Sequence, residues 1–232
     1  MDRPIESSHD ADSRPRQLKR VLLVVDMQRD FLPGGAVAVP EADGLVPIIN
    51  QLMRDERFDA CLATKDHHPP DHISFAPRHE DGQVGDVRPT PSKKHSVQLF
   101  NSHCVAGTPG ADFAEGLETS HIQQTFLKGM DKDREAFSGF YDMGRKHSTG
   151  LTEYLRAHST EEVFVVGVAL DYCVKATVAD SLHEGFKTYV IVDGAKAVDA
   201  EEGRHALEEL EEKGAVLVSA TDLAGAADEK GS

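Results

Sequence analysis

Short, mostly apolar runs recur along the chain at Val21–Val25, Ala60–Thr64, Thr125–Leu127, Val163–Val168, Tyr189–Val192 and Ala215–Val218. None alternates apolar with polar positions, so each reads as a strand covered on both faces. Between most of them the apolar positions recur at spacings of three and four. This pattern predicts helices over Leu45–Arg54, Gly150–His158, Val174–Glu184 and Ala200–Lys213. Strands alternating with helices predict an α/β fold: a three-layer, doubly wound, mostly parallel six-stranded sheet with helices on both faces. The many glutamates of Ala200–Lys213 read as the solvated face of their helix.

One stretch breaks the pattern. From Asp66 to about Ile122 the chain is rich in Pro, Gly, His and Asp and has almost no periodicity. An irregular insertion this long in a compact fold is usually functional. It holds seven of the twelve histidines: His67, His68, His72, His79, His95, His103 and His121.

The chain has 232 residues, 39% hydrophobic and 28% charged. That suits a single domain, expected over residues 18–224, with a disordered leader at 1–17 and a disordered tail at 225–232. The leader lacks the apolar core of a secretory signal, and no run is apolar enough to span a bilayer. The three cysteines make no disulfide framework, so a cytoplasmic location is expected. A net charge of -15 argues against nucleic acid and anionic membrane as partners. A homo-oligomer is compatible with the sequence.

Cys173 carries the strongest chemical signal. It follows the apolar run Val163–Val168, after the link Leu170-Asp171-Tyr172, and a helical pattern begins directly after it. This is the setting of a nucleophile elbow with Cys in place of Ser. Unpaired N–H groups and the positive end of a helix dipole at such a turn predict a thiolate-favouring environment. Cys61, inside a predicted strand, and Cys104 read as packing residues. Two further polar residues close predicted strands: Asp26 after Val21–Val25, and Lys128 after Thr125–Leu127. In open α/β sheets, ligand sites form at this carboxyl edge. Chemically the three form a sensible set. A carboxylate can take the thiol proton and return it to a leaving amine, and an ammonium favours the thiolate. Asp66 and His68 form a second set, because alternate side chains of an extended segment share a face. His103 would complete a three-ligand metal site with open positions, and His72 is a candidate fourth ligand.

Six segments in this order resemble the nicotinamidases of the isochorismatase-like hydrolase superfamily. They are Asp26-Met27-Gln28-Arg29-Asp30-Phe31, Thr64-Lys65-Asp66-His67-His68-Pro69, Asp71-His72-Ile73-Ser74-Phe75, His103–Ala111, Leu127-Lys128-Gly129 and Gly167–Val174. The resemblance runs from about Lys19 to about Leu223. It implies Cys173 as nucleophile, Asp26 as general base and acid, and Lys128 as the third member of the triad. It implies one divalent metal ion (Zn, with Fe and Mn as alternatives) on Asp66, His68 and His103, with His72 at a position that coordinates metal in some members. It implies a cis peptide at Val168–Ala169, aiming the Ala169 N–H, with that of Cys173, at the substrate oxyanion. Phe31, Phe100 and Phe137 fall at positions of an aromatic substrate pocket. Relatives commonly carry Trp where this chain has Phe100, and the chain contains no Trp. The expected activity is hydrolysis of nicotinamide to nicotinate and ammonia through a thioester, in NAD salvage.

Two other readings remain open on the sequence. Another cysteine amidohydrolase of the superfamily, acting on a carbamoyl or ureido compound, would generally lack the Asp66, His68 and His103 set. A non-catalytic ligand- or metal-binding module on the same fold would have no use for the triad.

Overall fold

The computed structural model describes residues 15–225. The expected leader and tail therefore lie almost wholly outside the described residues; residues 15–17 are exposed and residue 225 ends a helix. In chain order the elements are β1 (Arg20–Val25), α1 (Leu45–Met53), β2 (Ala60–Asp66), β3 (Val87–Pro89), β4 (Ser96–Gln98), β5 (Ile122–Lys128), α2 (Leu151–Ala157), β6 (Glu162–Val168), α3 (Lys175–His183), β7 (Lys187–Lys196), α4 (Ala200–Glu212), β8 (Val216–Val218) and α5 (Ala220–Gly225). Strands β3 and β4 pair as a separate antiparallel hairpin. The other six form one parallel sheet in the order β5-β2-β1-β6-β7-β8.

The sheet has a core on each face, because successive residues of a strand point to opposite sides. Val21, Leu23 and Val25 of β1 and Val163 and Val165 of β6 pack with Leu151 and Leu155 of α2, Val178 of α3 and Leu210 of α4. The intervening residues Leu22, Val24, Phe164 and Val166 pack with Leu45, Ile49 and Leu52 of α1. Fully burying one such side chain is worth about 1.5–3 kcal/mol, which is why the central strands read as unbroken apolar runs. In α4, Gly203, Ala206 and Leu210 face inward while Glu201, Glu202, Glu208, Glu209, Glu211 and Glu212 are exposed, as the pattern predicts. Asp199 caps that helix by accepting the N–H groups of Glu201 and Glu202 at 2.8 and 3.0 Å. Among the described residues no helix is long and apolar enough to cross a membrane.

Two strands, β5 and β7, extend furthest beyond their apolar runs. Strand β5 begins at Ile122 because it lies at the sheet edge, where Gln123 and Gln124 stand in solvent. Strand β7 continues through Asp193-Gly194 to Lys196 and pairs with Gly167 and Val168 of β6. A Cβ on Gly194 would lie 2.7 Å from the Val166 side chain, so this close approach requires glycine.

The strand order reverses between β1 and β6, where β1 turns toward β2 and β5 while β6 leads to β7 and β8. Lys128 ends β5 and Asp66 ends β2, Asp26 follows β1, and Cys173 follows β6. Four neighbouring strands thus each deliver one of these side chains to the carboxyl edge, at the switch point where such folds bind ligands.

Candidate active site

Strand β1 ends in Asp26, whose backbone φ of 50° turns the chain out of the sheet. Its carboxylate is fully buried. Oδ1 accepts the Thr64 hydroxyl at 2.7 Å, and Oδ2 lies 2.8 Å from Lys128 Nζ. The same ammonium donates to the Ala136 carbonyl at 3.1 Å and to Cys173 Sγ at 3.3 Å. It also makes a short contact with Asp66 Oδ1. The Cys173 sulfur and carboxylate oxygens of Asp26 and Asp66 all lie within 4.8 Å of one another. Cys173 sits in a short π-type turn, Leu170–Val174, between β6 and α3. The peptide bond at Val168–Ala169 is cis.

Electrostatics corrects one expectation. Burial drives the Cys173 thiol well above its ordinary value; Lys128 opposes this, but Asp26 and Asp66 add to it. The site without a metal therefore favours the thiol and not the thiolate. The main cause is burial, and the two carboxylates beside the sulfur offset much of what the single ammonium does for a thiolate. Burial also raises the Asp26 carboxyl, against the pull of Lys128. Burial acts against the Lys128 charge too, but Asp26, Asp66 and Cys173 outweigh it and hold this pKa well above the usual lysine value. The arrangement keeps a neutral thiol beside a carboxylate able to take its proton.

Asp66, His68 and His103 each bring a ligand atom within 4.8 Å of the others. His68 Nδ1–H donates to the Gly129 carbonyl at 2.8 Å, and His103 Nδ1–H donates to the Asn101 carbonyl at 2.8 Å. Each bond commits Nδ1 as the donor and turns Nε2 toward the other members of the set, and, against burial, Asp66 holds the His68 pKa above its ordinary value in the absence of metal. His68 Nε2 lies 3.5 Å from Asp66 Oδ2. This donor set, two imidazoles and a carboxylate, fits a divalent ion of the Zn, Fe or Mn type. His72 differs. Its ring stacks on His68 with centroids 4.0 Å apart. Nε2–H donates to the Arg134 carbonyl at 2.8 Å, and Nδ1 accepts the Ser74 hydroxyl at 2.7 Å. Both nitrogens thus have hydrogen-bond partners, and one ligand atom of His72 also lies within 4.8 Å of ligand atoms of His68 and Glu135.

A cavity of about 290 Å³ opens over these groups, lined by Phe31, Phe100, Phe137, Tyr172, Ala169, Cys173, Asp66 and His103 among others. The Phe31 and Phe100 rings lie 5.5 and 5.9 Å from the His103 ring, and Phe137 lies 5.7 Å from Tyr172. All three expected pocket phenylalanines thus share one wall system with Cys173. Several lining or supporting residues had no assigned role from the sequence. Tyr172 reads in the sequence only as part of the link before Cys173. Glu135, buried in the cavity wall, is hidden in a run of charged neighbours. Thr64, Gln28 and Asp30 lie within the quoted segments, but their partners are distant in sequence. The available signal for Gln28 was its uncommon position, a buried amide just beyond an apolar strand.

The isochorismatase domain family matches residues 20–222. The chain belongs to the isochorismatase family. A nicotinamidase of Escherichia coli is 39% identical over 210 residues, covering 88% of this chain and 96% of that protein. A solved nicotinamidase/pyrazinamidase of Acinetobacter baumannii superposes with a TM-score of 0.84 at 36% identity, covering 90% of this chain and 100% of that one. A pyrazinamidase of Pyrococcus horikoshii, solved in complex with zinc, superposes with a TM-score of 0.71 at 36% identity, covering 87% of this chain and 99% of that one.

Proposed function

We propose that this member of the isochorismatase family is a nicotinamidase, hydrolysing nicotinamide to nicotinate and ammonia in NAD salvage. One observation carries the reading. Lys128 touches both Asp26 and Cys173, and Cys173 lines an aromatic cavity whose wall also carries Asp66 and His103. The family relatives that cover most of the chain support the same substrate.

In the proposed sequence of steps, Cys173 Sγ attacks the carboxamide carbon as its proton passes to Asp26. The C–S bond forms, the C=O electrons move to oxygen, and the N–H groups of Ala169 and Cys173 hold that oxyanion. Each such donor is typically worth about a hundredfold or more in rate. Asp26 returns the proton to the nitrogen, the C–N bond breaks, and ammonia leaves a nicotinoyl thioester. Asp26 then takes a proton from water, hydroxide attacks the thioester carbon, and the C–S bond breaks. Asp26 gives its proton to the departing sulfur, the acid loses its own proton to solvent, and nicotinate leaves with the thiol and the Asp26 carboxylate restored. Lys128 holds the carboxylate and the sulfur together and offsets the negative charge that develops on them.

The metal ligands in this reading are Asp66, His68 and His103, with His72 left out. When bound, a divalent ion supplies a Lewis-acid anchor for the pyridine nitrogen and takes up the Asp66 charge. Phe31, Phe100, Phe137 and Tyr172 hold the flat ring and exclude water around the carboxamide. The test is incubation of the purified protein with nicotinamide, reading ammonia and nicotinate together. Equal amounts of the two are expected, and failure to release either would contradict the proposal.

A further inference from the structure

The segment Asp26-Met27-Gln28-Arg29-Asp30 places three polar side chains at alternate positions, and the proposed chemistry uses only the first. Gln28 is fully buried. Its Oε1 accepts the Asp66 N–H at 2.7 Å, and its Nε2 donates to the Asp66 carbonyl at 2.8 Å. The second Nε2 proton goes to the Ala111 carbonyl at 3.0 Å. One amide thus fills the backbone hydrogen-bonding capacity of Asp66, just where β2 runs out of strand partners on that side, and reaches the loop that carries His103. Asp30 holds the same loop at its other end. Its Oδ2 accepts the Cys104 N–H at 2.7 Å, and Cys104 is in the left-handed region with φ 45°. In return, the Thr64 hydroxyl of β2 holds the Asp26 carboxylate at 2.7 Å. The end of β1 and the end of β2 are therefore clasped reciprocally, each by a side chain of the other.

We propose that Gln28 and Asp30 are positioning residues for the metal site. They fix Asp66 and the His103–Ala111 loop against the segment that bears Asp26. The inference rests on the reading of Asp66, His68 and His103 as metal ligands. Neither residue offers an atom to the ion. Each holds the backbone from which a ligand, or its neighbour, projects. Groups that orient metal ligands typically change affinity 10–100-fold when lost.

The experiment measures zinc affinity by chelator competition, with thermal melting of the metal-free protein alongside. Gln28→Ala and Asp30→Ala are expected to bind zinc about 10–100-fold more weakly than wild type. Asp30→Asn keeps an acceptor for the Cys104 N–H and should restore wild-type affinity. Ser181→Ala removes another buried hydrogen bond, the 2.8 Å contact with Thr188. It should lower the melting temperature without changing zinc affinity. If Gln28→Ala does not fold, Gln28→Glu keeps the volume and the acceptor but loses both amide donations, and should weaken zinc binding too. Unchanged affinity in the Gln28 and Asp30 variants, or equal weakening by Ser181→Ala, would overturn this inference alone. A wild-type protein that binds no zinc would overturn the metal assignment and this inference with it.

Discussion

Asp66 and Lys128 are cross-strand partners at the carboxyl ends of β2 and β5, and their side chains form a buried ion pair. The carboxylate proposed to bind metal and the ammonium proposed to serve the nucleophile are therefore one interaction. What happens at Asp66 should reach the sulfur of Cys173 through Lys128.

That coupling predicts a metal-dependent nucleophile. Asp66 adds to the upward shift of the Cys173 thiol. Neutralising it frees Lys128 for sulfur and should move iodoacetamide alkylation of Cys173 to lower pH. A downward shift of one unit raises the rate at fixed pH about tenfold. Zinc loading and Asp66→Asn should each produce such a shift. Cys173 should be labelled ahead of Cys61 and Cys104, because it lines the cavity and they do not. Burial pushes the Cys61 thiol up to about 12. Peptide mapping with Cys104 labelled first, or a pH profile indifferent to zinc and to Asp66→Asn, would count against the coupling.

Gly129 should be intolerant of any side chain. Its φ is +67°, and an added Cβ would land on the His68 ring. Gly129→Ala should lose metal, because it strains the backbone and displaces a ligand whose Nδ1–H is held by the Gly129 carbonyl. Elemental analysis of the purified variant checks this; full metal occupancy would contradict the assignment of His68.

His72 should set part of the acid stability of the metal-free protein. Burial, aided by the nearby His68 charge, lowers its pKa from 6.5 to about 3. Between those values the unfolded chain holds the extra proton and the folded chain does not. Stability from this residue is complete above the upper value and falls as pH drops through the window. The slope is up to about 1.4 kcal/mol per pH unit. Urea unfolding at pH 6.5 and pH 5 should therefore show a smaller loss for His72→Gln than for wild type. Equal losses would show that His72 is not held neutral.

Much of this fold is legible in the sequence because β1 and β6 are buried on both faces, which demands unbroken apolar runs. The carboxyl-edge site is legible in part for the same reason: Asp26 and Cys173 follow those runs, and Lys128 ends the shorter apolar run of the edge strand β5. The hairpin β3–β4 left no such trace. Val87 and Pro89 are exposed, and three-residue strands cannot establish a period. The charge state of Cys173 is not legible in the sequence, because the burial that raises its thiol and the carboxylates of Asp26 and Asp66 beside it come together only in the fold. The fate of the His72 nitrogens depends on the Arg134 carbonyl, 62 residues along the chain. No local pattern carries that information, and the same holds for the partners of Gln28 and Asp30.

If the metal set recognises the pyridine nitrogen, the substrate needs that nitrogen. Benzamide keeps the carboxamide and the flat ring but lacks it. Its kcat/KM should be far below that of nicotinamide in zinc-loaded protein. Comparable values, with metal present by elemental analysis, would leave Asp66, His68 and His103 as a structural clip.

The central claim is that Cys173 carries the acyl group. Rapid acid quenching during turnover of nicotinamide, followed by peptide mass analysis, tests it most directly. The account predicts a nicotinoyl adduct on the peptide containing Cys173, absent in Cys173→Ala, which should also lose several orders of magnitude in rate. An adduct on Cys61 or Cys104, or a Cys173→Ala variant that keeps more than about a hundredth of the wild-type rate, would contradict it.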